Sequence, residues 1–194
     1  DQAFEDTAFP GHEMVTMASL PGMWERTLTV CSMSKGYGLS GFRIGYIYAD
    51  DHIMDVLYGG AVNVLGAACT VTTLGAVAAL NDDSILPEYR ERLDRRRTLA
   101  YDILSTTPGV SMRKSESGIL SWLDVHRLGT SEEVADYLMQ HANVMVNQGV
   151  PYGSQGAGWI RIVTACFARD EDAALRFERI KAALTELAKQ KGIV

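Results

Sequence analysis

The sequence is short of the residues that build metal sites and disulfide scaffolds. Its 194 residues hold three cysteines, Cys31, Cys69 and Cys166, and four histidines, His12, His52, His126 and His141. The cysteines are odd in number, far apart and without CxxC spacing, which points to free thiols of a reducing cytoplasm rather than to disulfides or structural zinc. The histidines show no ligand spacing either, so no metal is expected. An excess of positive charge is also lacking: 18 Lys and Arg stand against 24 Asp and Glu, a net charge of −6. Nucleic acid and anionic membrane are therefore poor partners, and any anion site must be local. No signal-peptide pattern opens the sequence. The run Val56 to Asn81 has no charged residue at all. It is rich in Gly, Ala, Thr and Asn and lacks the sustained Leu, Ile and Phe of a membrane span, so it reads as helix and loop packed against protein, within the chain or at an oligomer interface.

What is present is the composition of an ordinary globular protein, 47% hydrophobic and 22% charged, with length enough for one domain or two small ones. Residues 27–33 alternate like a strand and lead into a Gly-rich loop, and 42–49 form a second run of β-formers. Asp50-Asp51 read as a helix start. Together these suggest an α/β layer. Leu86, Leu93, Leu99, Ile103 and Leu104 recur at helical spacing from about 84 to 107, with the charges of Arg90 to Arg97 expected on the solvated face. A smaller α+β unit follows. It comprises a strand at 118–125, a helix capped by Thr130-Ser131-Glu132-Glu133, strands on either side of the Gly-rich loop 151–158, and a final helix from Asp170 to about Gly192.

The chemistry concentrates in CSMSKGYGLSGFRIG, Cys31 to Gly45. Glycines let backbone approach a ligand closely. Ser32 and Ser34 offer hydroxyls, and Arg43 offers a planar fork suited to phosphate. Lys35 in a low-dielectric setting becomes a competent nucleophile toward aldehydes. A lysine, a phosphate cradle and a carboxylate are what pyridoxal 5′-phosphate (PLP) requires. The GxxxxGK[ST] order of a P-loop is missing, and a plain surface loop with a solvated lysine is the alternative.

Ser32-Met33-Ser34-Lys35 through Arg43-Ile44-Gly45 resembles the lysine signature of the class I/II aminotransferases, the aspartate aminotransferase family of fold type I PLP enzymes. A second block, Pro151-Tyr152-Gly153 through Trp159-Ile160-Arg161-Ile162, resembles that family's Gly-rich loop and arginine strand. The resemblance implies that Lys35 forms the internal aldimine with PLP and then moves the proton between Cα and C4′. It implies that Ser32, Ser34 and Arg43 hold the cofactor phosphate, and that Arg161 clamps the substrate α-carboxylate. Asp1-Gln2-Ala3-Phe4 is similar to the family's D-x-x-Y block, with Asp1 toward the pyridinium nitrogen. Phe4 departs from it, because phenylalanine has no hydroxyl to offer the ring oxygen.

The resemblance covers only the C-terminal half of that family, so the sequence, which opens on Asp1 rather than Met, is expected to be a piece of a longer chain. It implies the C-terminal part of the large PLP-binding domain at 1–83, its strands belonging to a larger parallel-type sheet, and a bridging helix with a small α+β domain at 84–194. The activity implied is amino-group transfer between an amino acid and a 2-oxo acid, in a cytoplasmic homodimer. β-Lyase or decarboxylase chemistry on the same scaffold stays open, as does a non-catalytic fragment. No Arg or Lys lies between Arg43 and Arg90, so that stretch offers no receptor for a side-chain carboxylate.

Overall fold

The computed structural model describes residues 1–194. They form two compact units, Asp1–Glu91 with Glu116–Gly118, and Arg92–Ser115 with Ile119–Val194.

The first unit is built on an antiparallel ribbon of β1 (Thr29–Ser32) and β2 (Gly45–Tyr48), in which Thr29 faces Tyr48 and Ser32 faces Gly45. The two runs expected at 27–33 and 42–49 are thus strands, shorter by a few residues, and they pair with each other antiparallel. The ribbon needs glycine at 45, since a Cβ there would lie 2.5 Å from the Cys31 carbonyl oxygen. The opening segment runs beside β1, with the Gln2 amide donating to the Val30 carbonyl at 2.8 Å. Phe9, Cys31 and Met33 are buried.

Helix α1 (Asp51–Val64) starts at Asp50, whose carboxylate accepts from the His52 amide. Helix α2 spans Thr70–Leu80. Here the expectation of burial fails within this chain. No residue of α1 is buried, and of α2 only Ala76 is. Val56, Tyr58, Val64, Leu65 and Val71 are each more than 70% exposed. An uncharged run reads as buried because apolar surface is normally covered, but nothing in these 194 residues covers it. No helix is long and apolar enough to cross a membrane.

Helix α3 (Ile85–Leu104) carries Pro87 in its first turn, where the missing N–H is harmless. The sequence predicts the whole charged stretch of α3 on the solvated face, and that expectation fails for two of its arginines. Arg96 and Arg97 are buried. Arg96 donates to Asp170 and to the Phe167 and Ala168 carbonyls, and Arg97 to Asp94 and the Ser115 carbonyl. Buried guanidinium groups persist because each finds carboxylate and carbonyl acceptors.

The second unit is an antiparallel sheet of order β3 (Ser111–Met112), β4 (Leu120–Asp124), β6 (Trp159–Val163), β5 (Asn147–Gln148). Both long strands alternate: Ser121, Leu123, Ile160 and Ile162 are buried, while Trp122, Trp159, Arg161 and Val163 are only partly covered. The buried residues meet Val134 and Leu138 of α4 (Ser131–Ala142) and Phe177, Ile180 and Leu184 of α5 (Asp170–Gln190) in one core. Thr130 and Glu133 close a reciprocal capping box on α4. The other face of the sheet therefore stays open, and Arg161 stands on it.

Candidate active site

Ser32 closes β1, and Ser34, Lys35 and Arg43 lie on the loop that leaves it and returns as β2. The Met33 amide donates to the Ile44 carbonyl at 3.4 Å and the Leu39 amide to the Met33 carbonyl at 3.1 Å, so the loop is pinned at its neck. The Ser32 hydroxyl accepts from the Ser34 amide at 3.2 Å, which leaves its own hydrogen free to donate. Lys35 is half-buried and Arg43 exposed. Arg43 adopts a left-handed backbone, φ 53° and ψ 47°, and its guanidinium donates to the Ser40 carbonyl at 2.8 Å. That conformation is costly for a non-glycine residue and concentrates at functional sites.

Two supports of this loop escape a reading of its motif alone. A Cβ at Gly36 would lie 2.4 Å from the Asp6 Cβ, so glycine is what lets Asp6 press against the residue next to Lys35. Asp6 is itself held by Arg90, which donates to its backbone carbonyl. Burial pushes the Asp6 carboxyl above the usual carboxylate range, Glu5 adds to the rise, and Arg90 opposes it. The second support is Gln2, which is buried. Its side chain donates to the Thr16 hydroxyl at 3.0 Å and accepts from the Tyr48 hydroxyl at 3.1 Å and the Cys31 thiol at 3.7 Å. Burial, then Glu5, raises the Cys31 thiol to about 11, so Cys31 serves Gln2 as a neutral donor at ordinary pH.

Gln2 fixes the position of Asp1, whose carboxylate accepts from the Ala3 amide at 2.9 Å through one oxygen. Phe4 packs its ring on Gly118: a Cβ there would lie 3.3 Å from Phe4 Cδ1. No hydroxyl stands at position 4, and the Tyr48 hydroxyl is committed to Gln2.

The donor set fits a phosphorylated aldehyde. Residues 31–45 contain no acidic side chain, while they offer the Ser32 and Ser34 hydroxyls among others, one ammonium and one guanidinium. Such a loop suits a phosphate dianion, and the Lys35 amine has the chemistry to condense with an aldehyde.

Arg161 belongs to the second unit. On β6 it faces Trp122 of β4 on one side and Asn147 of β5 on the other. Its Nη2 donates to Asn147 Oδ1 at 2.7 Å, and its Cζ lies 4.7 Å from the Tyr152 ring centre. Tyr152 meets Trp122 edge-on at 5.3 Å. The Gly-rich loop is closed backbone against backbone: a Cβ at Gly149 would lie 2.1 Å from the Gly156 carbonyl oxygen. An arginine with an amide and a ring for neighbours, and no acid, is well placed to take an anion from outside. Asn147 lies outside the arginine motif, and Tyr152 stands in that motif's Gly-rich loop without an assigned role; the period-two alternation of the strands is the signal that aligns Asn147 with Arg161.

Comparison with known proteins gives a consistent result. The family model for aminotransferase class I and II matches residues 1–177. The chain is 31% identical to the arginine–pyruvate transaminase of Pseudomonas aeruginosa over 174 residues, covering 84% of this chain and 42% of the relative. The aromatic aminotransferase structure from Pyrococcus horikoshii superimposes with a TM-score of 0.86 at 26% identity, covering 99% of this chain and 50% of that one. A PLP-bound aminotransferase structure from Clostridium difficile gives 0.84 at 26% identity, with 95% and 49% covered. The chain spans about half the length of the curated relatives it matches.

Proposed function

Because the chain belongs to the class I and II aminotransferase family, we propose that it forms the C-terminal part of a PLP-dependent aminotransferase that moves an amino group between an amino acid and a 2-oxo acid. The observation that carries this reading is the pinned, acid-free loop bearing Ser32, Ser34, Lys35 and Arg43. The relatives named as transaminases and the PLP-bound neighbour support it.

In this reading Ser32, Ser34 and Arg43 hold the cofactor phosphate by charge-assisted hydrogen bonds. The carboxylate of Asp1 keeps the cofactor's ring nitrogen protonated. PLP, when bound, supplies the electron sink that makes the substrate Cα–H acidic. The Lys35 amine would be the cofactor's point of attachment, and its Nζ, when free, would be the general base for the substrate Cα proton. Arg161 takes the substrate α-carboxylate, which fixes the direction of the Cα–H bond before the proton moves. Phe4 leaves the ring oxygen without the hydroxyl partner that a tyrosine would give.

The domain division we propose is 1–83 for the cofactor side and 84–194 for the bridging helix and small domain. The protein is a cytoplasmic homodimer in this reading, and the exposed apolar faces of α1 and α2 support an interface there.

The test is the fate of the amino group. The full-length protein carrying this chain is incubated with an amino acid donor, with and without a 2-oxo acid. Transamination requires the 2-oxo acid and releases no ammonia. Ammonia released without a 2-oxo acid would show a lyase instead.

A further inference from the structure

The role of Arg161 as carboxylate receptor leaves open how a long, flexible side chain on an open sheet face is kept in one plane. Both long strands of the second unit turn their small and aliphatic residues inward, so β6 must present Arg161 outward. Register then decides its neighbours. Trp122 and Asn147 are the residues directly opposite it on the two flanking strands, and directly opposed residues share a face. A slip of one residue in β5 would carry Asn147 to the buried face.

The guanidinium is gripped in two independent ways. The Asn147 amide oxygen accepts from Nη2 at 2.7 Å, which fixes rotation in the guanidinium plane. The Tyr152 ring lies 4.7 Å from Cζ, which fixes the tilt of that plane. Tyr152 is itself steadied edge-on by Trp122, and its loop by the Gly149–Gly156 contact. Neither partner carries charge, so the positive charge of Arg161 is oriented without being neutralised. The Nε atom is buried and has no hydrogen-bond partner. A buried donor left open is costly, so the guanidinium is under-satisfied in this chain, and a carboxylate arriving at its accessible nitrogens would form a charge-assisted pair.

We propose that Asn147 and Tyr152 are positioning residues that hold Arg161 as a rigid, uncompensated receptor for the substrate carboxylate. This rests on the role given to Arg161 above. It differs from a purely structural role, because it predicts an effect confined to ligands that carry a carboxylate.

The test uses the PLP-loaded full-length protein and two probes, L-alanine and ethylamine, which differ by the carboxylate. The apparent affinity of each is read from the change in cofactor absorbance, and PLP uptake by each variant reports folding. Asn147→Ala is expected to weaken alanine about tenfold or more, the worth of one hydrogen bond to a charged group, and to leave ethylamine unchanged. Tyr152→Leu is expected to weaken alanine about threefold to tenfold, the worth of an exposed to half-buried cation–π contact, with Tyr152→Phe restoring it. Asn147→Asp should be worse than Asn147→Ala, because an acid there competes for the guanidinium. If Asn147→Ala and Tyr152→Leu bind alanine as the parent does, or weaken both probes alike, the positioning role is wrong. If Arg161→Lys does not change the preference for alanine over ethylamine, the error lies instead in the role given to Arg161.

Discussion

Arg96 and Arg95 both bind Asp170, yet the structure predicts very different consequences for losing them. The Arg96 side chain is 3% exposed and its Nε lies 2.6 Å from Asp170, whereas Arg95 is 51% exposed and 3.1 Å away. Arg96 also supplies the Phe167 and Ala168 carbonyls, so Arg96→Ala strips three acceptors at once and leaves a cavity beside α3. Asp170 is 38% exposed and can be rehydrated in part, which argues for the lower half of the range for breaking a buried pair, about 3–4 kcal/mol. Arg95→Ala removes an exposed pair and should cost less than about 1 kcal/mol. With a urea slope of about 2 kcal/mol per molar, the first lowers the unfolding midpoint by about 1.5–2 M and the second by less than about 0.5 M. Urea melts followed by far-UV circular dichroism separate these cases. Equal shifts for the two variants would refute the argument that burial, rather than the shared carboxylate, sets the energy. The pH profile carries the same sign. Hydrogen bonds from Arg96, then Arg95, hold the Asp170 carboxyl below the usual carboxylate range. Its contribution is therefore present above the ordinary carboxylate pKa and is lost as pH falls through the depressed one, and Arg96→Ala should flatten the acid limb.

Other consequences are as direct. Gly36→Ala should abolish or strongly weaken PLP uptake, because the new methyl would lie 2.4 Å from the Asp6 Cβ; adding Asp6→Gly should recover uptake, and a double variant as poor as the single one would contradict the contact. Thr130→Ala should cost about 1 kcal/mol through the lost capping box, visible as a lower melting temperature. Thiol titration with a chromogenic disulfide at pH 8 should rank Cys69 first, since amide donors from Thr72 and Val71 lower its pKa. Cys166 should follow, raised by burial, and Cys31 should stay silent until unfolding, being buried with its pKa at about 11. A fast third thiol in the native protein would mean that the Gln2–Cys31 contact is not formed.

The parts of the fold that were legible in the sequence are those fixed by neighbours along the chain. The loop from Ser32 to Arg43 is a continuous run whose residue types state their chemistry, and the Thr130 cap and Asp170 start are signals of a few residues. What was hidden depends on distant partners. Arg96 and Arg97 look like a solvated face until Asp170, 74 residues on, and the Ser115 carbonyl are seen to bind them. Asn147 becomes a partner of Arg161 only through the pairing of β5 with β6. Asp6 gives no sign of pressing on Gly36, because a close backbone approach leaves no periodic trace. The uncharged helices α1 and α2 show the opposite failure: their apolar character is plain, but whether it is covered is decided outside these residues.

The central claim is that Lys35 is the amine that holds the cofactor. It is tested most directly by treating the protein with PLP, reducing with borohydride and mapping the modified peptide by mass spectrometry. The account predicts one phosphopyridoxyl group, on Lys35, lost in Lys35→Ala and weakened when Arg43 is replaced by leucine. Labelling spread over surface lysines at the same level in Lys35→Ala would contradict it.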